Sequence, residues 1–150
     1  MDFSHLDEQG NARMVDVSPK DVVMRTARAA GYIKLQAETL DRIRDKTIPK
    51  GDIFTTAKIA GIMAAKRTSD IIPLCHPVII DSIDLTFAIL EDRVTIESIA
   101  VCRGRTGIEM EALSAVSSAA LTIYDMCKAV DKVMEIGGIH LVEKTKEQLA

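Results

Sequence analysis

From Asp81 to Ile89 the chain alternates: Ile83, Leu85, Phe87 and Ile89 are apolar, while Ser82, Asp84, Thr86 and Ala88 between them are small or polar. Successive side chains of a strand point to opposite faces, so this period of two predicts a half-buried β-strand. Leu90-Glu91-Asp92-Arg93 follows as a turn, and Val94 to Cys102 is a partner strand rich in β-branched residues. Gly104-Arg105-Thr106-Gly107 then separates the hairpin from a long helical segment, Ile108 to Val130. A hairpin feeding a helix must bury one sheet face against that helix, which confines the chain to a layered α+β fold.

The remaining segments complete one pattern. A strand is expected within Met24 to Leu35, and Leu40 and Ile43 give Gln36 to Arg44 helical spacing. Pro49-Lys50-Gly51 breaks the chain, and Asp52 caps a helix that runs through Arg67 with Ile59, Ile62 and Met63 on its apolar face. After Gly137-Gly138, Ile139 to Glu143 is a short closing strand. The order strand, helix, strand, strand, helix, strand is the split arrangement of ferredoxin-like βαββαβ folds, with an antiparallel sheet packed against helices. Residues 1–23 are an extended arm and residues 145–150 a flexible tail, and 150 residues make one domain.

The long helix carries two stripes at helical spacing. Leu113, Val116, Ala120, Ile123, Cys127 and Val130 form the face expected on the sheet. Glu111, Ala115, Ser118, Thr122, Asp125 and Ala129 form a second face of small and polar residues. Lys58-Ile59-Ala60-Gly61-Ile62-Met63-Ala64-Ala65 is similarly rich in small residues, so close helix contacts are expected within or between subunits.

Composition removes several functions. A net charge of −3 with 3% aromatic residues leaves neither a broad phosphate-backbone footprint nor stacking platforms, so nucleic acid is not an expected partner. Cys75, Cys102 and Cys127 are too few and too scattered for a disulfide framework, and none forms a Cys-x-x-Cys pair. The first residues lack a secretory signal and no segment reaches the roughly 20 apolar residues of a membrane span, so a cytoplasmic protein is expected.

Three regions could carry chemistry. In Pro73-Leu74-Cys75-His76-Pro77 two prolines restrict a loop bearing a thiol and an imidazole. The plainer alternative is a small buried cysteine beside a hydrogen-bonded surface histidine, and a Cys–His nucleophile pair is a third. No metal site is expected, because a tetrahedral site needs three or four ligands and His5 and His140 stand far from this loop in sequence. Arg103-Gly104-Arg105-Thr106-Gly107 leads into the long helix and suits an anion at a helix N-terminus, or simple capping with Glu109 and Glu111 complementing the dipole. Near the other end, Asp125 and Lys128 are three residues apart, either a surface ion pair or a proton-transfer pair whose lysine pKa falls. Lys50, Lys66 and Arg67 add cations around the preceding helix. Glu111 and Asp125 are ~21 Å apart along one helix, so they meet only if two antiparallel copies come together. The collection fits proton transfer on a small phosphorylated substrate.

Read as strings, Met14-Val15-Asp16-Val17-Ser18, Lys50-Gly51-Asp52, Ala57 to Ile62 and Ala64-Ala65-Lys66-Arg67-Thr68 resemble the molybdenum cofactor biosynthesis protein C family. Ile72 to Pro77, Thr106 to Leu113 and Leu121 to Val130 resemble that family's signature segments, and the likeness extends from about Ser4 to Lys144. It implies cyclic pyranopterin monophosphate synthase activity, the conversion of cyclised dihydro-GTP into cyclic pyranopterin monophosphate with release of pyrophosphate. It also implies a homohexamer with active sites between neighbouring subunits. By motif, Asp125 would be the catalytic acid or base, Lys128 its partner, and Lys50 a further proton-transfer or phosphate-contacting group. Leu74, Cys75, His76, Met110 and Glu111 would line the substrate, with Glu109, Lys66 and Arg67 beside them. No resident cofactor is implied, and a divalent ion beside the phosphates is left open. The family's Gly- and Ser-rich tail after the last lysine is replaced here by Thr145-Lys146-Glu147-Gln148-Leu149-Ala150, after Lys144.

Two other readings use the same fold. A regulatory module would bind a small anionic metabolite without an acid–base pair, and an RNA-binding domain is disfavoured by acidic charge and aromatic-poor strands.

Overall fold

In the computed structural model, which describes residues 3–150, the elements are β1 (Val23–Lys34), α1 (Ala37–Arg44), α2 (Ile53–Lys66), α3 (Thr68–Ile71), β2 (Ser82–Ile89), β3 (Arg93–Gly104), α4 (Glu109–Cys127) and β4 (Glu135–Glu147). The strands form one sheet in the order β2-β3-β1-β4 with every neighbouring pair antiparallel. This is the expected ferredoxin-like topology, with β1 and β3 at its centre. The first two residues of the expected arm lie outside the described residues. Phe3 to Val22 carry no helix or strand, only an isolated bridge between Leu6 and Ala12.

The hairpin follows its alternation, with Leu85 of β2 and Val94, Ile96, Ala100 and Cys102 of β3 buried against the helices. On β1, Val23, Ala27, Ala29 and Ile33 are buried on the same face. Val116, Ala120, Ile123 and Cys127 of α4 cover that face, as their stripe predicts, while Leu113 and Val130 are partly buried against it. The helix ends at Cys127, where the Val130 and Asp131 N–H groups both donate to the Cys127 carbonyl and close a turn.

Two expectations are corrected. The closing strand runs from Glu135 to Glu147, well beyond Ile139 to Glu143. Register shifts between Arg28 and Ala29 and between Ala30 and Tyr32 break its alternation, so only its middle has a clean period in the sequence. Thr145, Lys146 and Glu147 consequently pair with Thr26, Arg25 and Met24, in place of the flexible tail expected from residue 145.

The second correction concerns α2. Its buried face is Ile53, Ala57, Gly61 and Ala65, whereas Ile59 and Met63 are 54% and 48% exposed and only Ile62 of the expected trio packs on the core. A Cβ on Gly61 would stand 2.6 Å from Leu85 Cδ2 and 2.9 Å from the Ala115 carbonyl oxygen. Small residues win this face because α2 lies so close to α4 that a larger side chain would collide with backbone. The close helix contact is therefore within the subunit, and it engages the small-residue stripe of α4 at Ala115.

Candidate active site

Lys50 precedes α2 and contacts Asp125 near the end of α4, while Gly61 meets Ala115 further back, so the two helices are antiparallel. The candidate residues thus divide between two poles.

At the first pole Asp52 caps α2 by accepting from the Thr55 N–H at 3.1 Å, which fixes the Pro49-Lys50-Gly51 turn beside α4. Lys50 Nζ donates to the Asp125 backbone carbonyl at 3.0 Å and lies 3.3 Å from Asp125 Oδ2. Lys128 Nζ lies 2.7 Å from Asp125 Oδ1. One carboxylate therefore bridges two ammonium groups, one oxygen to each. Hydrogen bonding to Lys128, and then to Lys50, holds the Asp125 carboxyl below the usual carboxylate range. Its bond to Asp125 in turn raises the Lys128 pKa, opposite to the fall entertained from sequence, because the pair is solvated rather than set in an apolar surface.

The turn after Lys128 is anchored from below. Asp131, 1% exposed, accepts from the Gln36 N–H at 2.9 Å, the Thr39 hydroxyl at 2.8 Å and the Val133 N–H at 3.0 Å. It caps α1, whose own Gln36 makes no side-chain cap. Burial opposes ionisation of Asp131, but those three bonds outweigh it and hold its carboxyl below the usual range. Sequence reasoning missed this residue, since two of its three partners, Gln36 and Thr39, are more than 90 positions away.

The second pole gathers around the start of α4. Glu111 points inward and is 4% exposed; burial pushes its carboxyl pKa up, its own backbone N–H offsets this in part, and Glu109 adds to the rise. Its neighbour Met110 turns outward, 37% exposed. The Cys75 thiol is raised by burial first and by the Glu111 charge second, and Cys102 has the same two leading causes. Cys127, beneath the helix end, is pushed up to about 11 by burial. A thiol kept protonated in this way is not an activated nucleophile. Among the described residues no hydrogen bond joins His76 to Cys75; the His76 Nε2 lies 2.6 Å from the Val15 carbonyl oxygen, so that nitrogen carries a proton and donates it to the arm. Leu74, like Cys75 and His76, is half-buried.

Glu109 faces Lys144, whose Nζ is 3.1 Å from its Oε1. A Cβ on Gly107 would overlap that carboxylate, so a larger residue there would push the Glu109 side chain aside. Lys66 ends α2 and lines a hollow with Val78 to Ile83, and Arg67 is the residue that terminates the helix. Neither reaches the Lys50 cluster. A cavity of ≈ 250 Å³ opens beside Glu109 and Lys144 and is lined also by Arg25, Thr26, Gly107, Ile108, Thr145 and Lys146. Arg25 and Lys146 were not singled out in the sequence, because what joins them is strand pairing across most of the chain.

A ferredoxin-like subunit with an aspartate between two lysines, a buried glutamate and a cation-lined cavity has the parts of an acid–base protein for a small anionic ligand. The MoaC family's sequence profile matches residues 14–147, and the chain belongs to that family. Among its relatives is the cyclic pyranopterin monophosphate synthase of Peptoclostridium acidaminophilum, 56% identical over 97% of this chain and 92% of the relative. The protein of that name from Desulfitobacterium hafniense is 56% identical over 97% of this chain and 90% of the relative. Cyclic pyranopterin monophosphate synthase 1 of Mycobacterium bovis is 56% identical over 95% and 85%.

Proposed function

We propose that this protein is a cyclic pyranopterin monophosphate synthase, a lyase of molybdenum cofactor biosynthesis. It converts cyclised dihydro-GTP into cyclic pyranopterin monophosphate and releases pyrophosphate by general acid–base catalysis. The observation that carries this reading is the Lys50–Asp125–Lys128 cluster in a chain of the MoaC family. Rearranging a purine-derived ring and closing a cyclic phosphate requires protons to move at several nitrogens and oxygens. Asp125, kept ionised, accepts protons; Lys128, kept charged, donates them or offsets phosphate charge, and Lys50 supports both roles.

The substrate is lined by Leu74, Cys75, His76, Met110 and Glu111, with Glu109, Lys66 and Arg67 at the margin. Those residues and the Asp125 cluster sit at opposite ends of the α2–α4 pair, ~21 Å apart for Glu111 and Asp125. A site using both is built from two subunits, which supports sites at subunit interfaces; the homohexamer itself is what the family resemblance implies. No resident cofactor enters this scheme. Among the described residues no helix is long and apolar enough to cross a membrane, and we place the enzyme in the cytoplasm.

The test is incubation of the purified protein with freshly made cyclised dihydro-GTP. Pyrophosphate and the pterin product should appear in equal amounts; binding with neither product would replace the synthase with a ligand-binding module.

A further inference from the structure

Arg25 and Lys146 stand directly opposite each other where β1 pairs with β4. Their neighbours two positions along, Ala27 and Lys144, are likewise partners, so all three cations share the sheet face that carries the helices. Like charges directly across a strand pair are destabilising. Lys144 is compensated by Glu109, but among the described residues neither Arg25 nor Lys146 makes an ion pair with a carboxylate. The hollow adjoining them adds one cation, Lys20, and one carboxylate, Asp21, and so leaves the excess in place.

Arg25 is nevertheless held in a fixed pose. Its Nε donates to the Gly104 carbonyl at 3.1 Å and one Nη to the Arg105 carbonyl at 3.3 Å. A guanidinium has five N–H donors, so three are left for a ligand in a fork that matches phosphate. The cavity of ≈ 250 Å³ lies at this point, with Lys146 on one wall and Gly107 and Ile108 on another. In a chain of net charge −3, a cavity lined by three cations and one carboxylate is a local reversal of sign.

We propose that this cavity seats the phosphate chain of the substrate, with Arg25 and Lys146 as phosphate-binding residues that the Asp125 cluster does not include. The proposal rests on the synthase reading for the identity of the substrate, but the site itself is an oligophosphate site. It gives the Thr145 to Glu147 segment a function: as strand rather than loose tail, it carries Lys146 to the cavity wall.

The probe is inorganic pyrophosphate titrated calorimetrically into the full chain. The unaltered protein binds it, Lys146→Ala weakens binding about tenfold, the loss of one charge-assisted hydrogen bond, and Lys146→Arg restores it. Arg25→Lys loses binding as well, because an ammonium cannot keep both carbonyl bonds and still present a fork. Arg42→Ala, which removes a cation from an exposed pair with Glu38, is the charge control and binds as the unaltered protein does. With cyclised dihydro-GTP, Lys146→Ala shows its loss mainly as a higher KM. Absence of pyrophosphate binding, or equal binding by Lys146→Ala, overturns the site. Turnover by the unaltered protein together with either result leaves the synthase standing without this cavity; Lys146-dependent binding without turnover leaves the cavity standing without the synthase.

Discussion

At one end of α4 the Asp125 carboxylate stands in solvent between two ammonium groups, whereas fourteen residues earlier the Glu111 carboxylate is 4% exposed beside two protonated thiols. Both belong to one stripe of one helix, yet the first is driven toward its charge and the second away from it. The cause is what packs on each end. The Glu111 side chain lies on a covered part of the helix surface, whereas the Asp125 side chain faces solvent and meets only Lys50 and Lys128, although Ile123, Met126 and Cys127 beside it are buried. A helix placed this way pushes the pKa values of its two carboxyl groups in opposite directions, which is the division of labour acid–base chemistry needs.

The comparison is broken hardest at its exposed end. Asp125→Asn should lower pyrophosphate release by roughly 10²–10⁴-fold while the melting temperature stays as it was, since both partners of the ion pair are solvated and such pairs stabilise little. A parallel fall in thermal stability would show that the cluster is structural.

At the buried end, Glu111→Gln should also cost activity, yet make the fold more stable at neutral pH. A carboxyl whose folded pKa is raised above its ordinary 4.5 favours folding below that value and loses this contribution as pH rises through the folded pKa. Removing the ionisable group removes that loss, so the variant's advantage in melting temperature should grow from pH 4 to pH 8. An advantage that is absent, or that shrinks with pH, would mean the carboxylate is satisfied when charged.

The midpoint of the helix pair is tested by Gly61→Ala. The added carbon meets the Ala115 backbone oxygen, which cannot turn aside, and about 1–3 kcal/mol of stability should be lost, read by urea denaturation. Gly107→Ala should do less to stability, because the obstacle there is the mobile end of Glu109; its mark should be a weakened Lys144 pair.

Asp131→Ala is the subtlest of these. Three lost hydrogen bonds should reduce stability by about 1–3 kcal/mol at neutral pH. The folded carboxyl is depressed from 3.8, so its contribution is present above that value and fades as pH falls through the folded pKa; the two proteins should converge in acid. The effect on turnover should be small unless the turn after Lys128 moves.

How much of this was legible in the sequence depends on the range of the interactions. The β2–β3 hairpin and the sheet-facing stripe of α4 were readable because each is encoded in a period within one segment, as Leu85 and Val116 show. The Asp125–Lys128 pair was legible as helix spacing, and the family motifs marked Lys50 as belonging with it. What could not be read was the partner of each face. Ile59 and Met63 look like a core stripe by hydrophobicity, but the distance between α2 and α4 decides, and at that distance only Ala57, Gly61 and Ala65 fit. The length of β4 escaped notice because its bulges change phase, and with it went Lys146 and its meeting with Arg25. Asp131 reads as a loop residue until α1 arrives to be capped. The sequence by itself determined the main elements, their order and the family, though not α3 or the length of β4, since periodicity and motifs are local. Only the tertiary structure decided which faces are buried, which way each carboxyl's pKa is pushed and where the cations converge, because burial and charge depend on neighbours brought from across the chain.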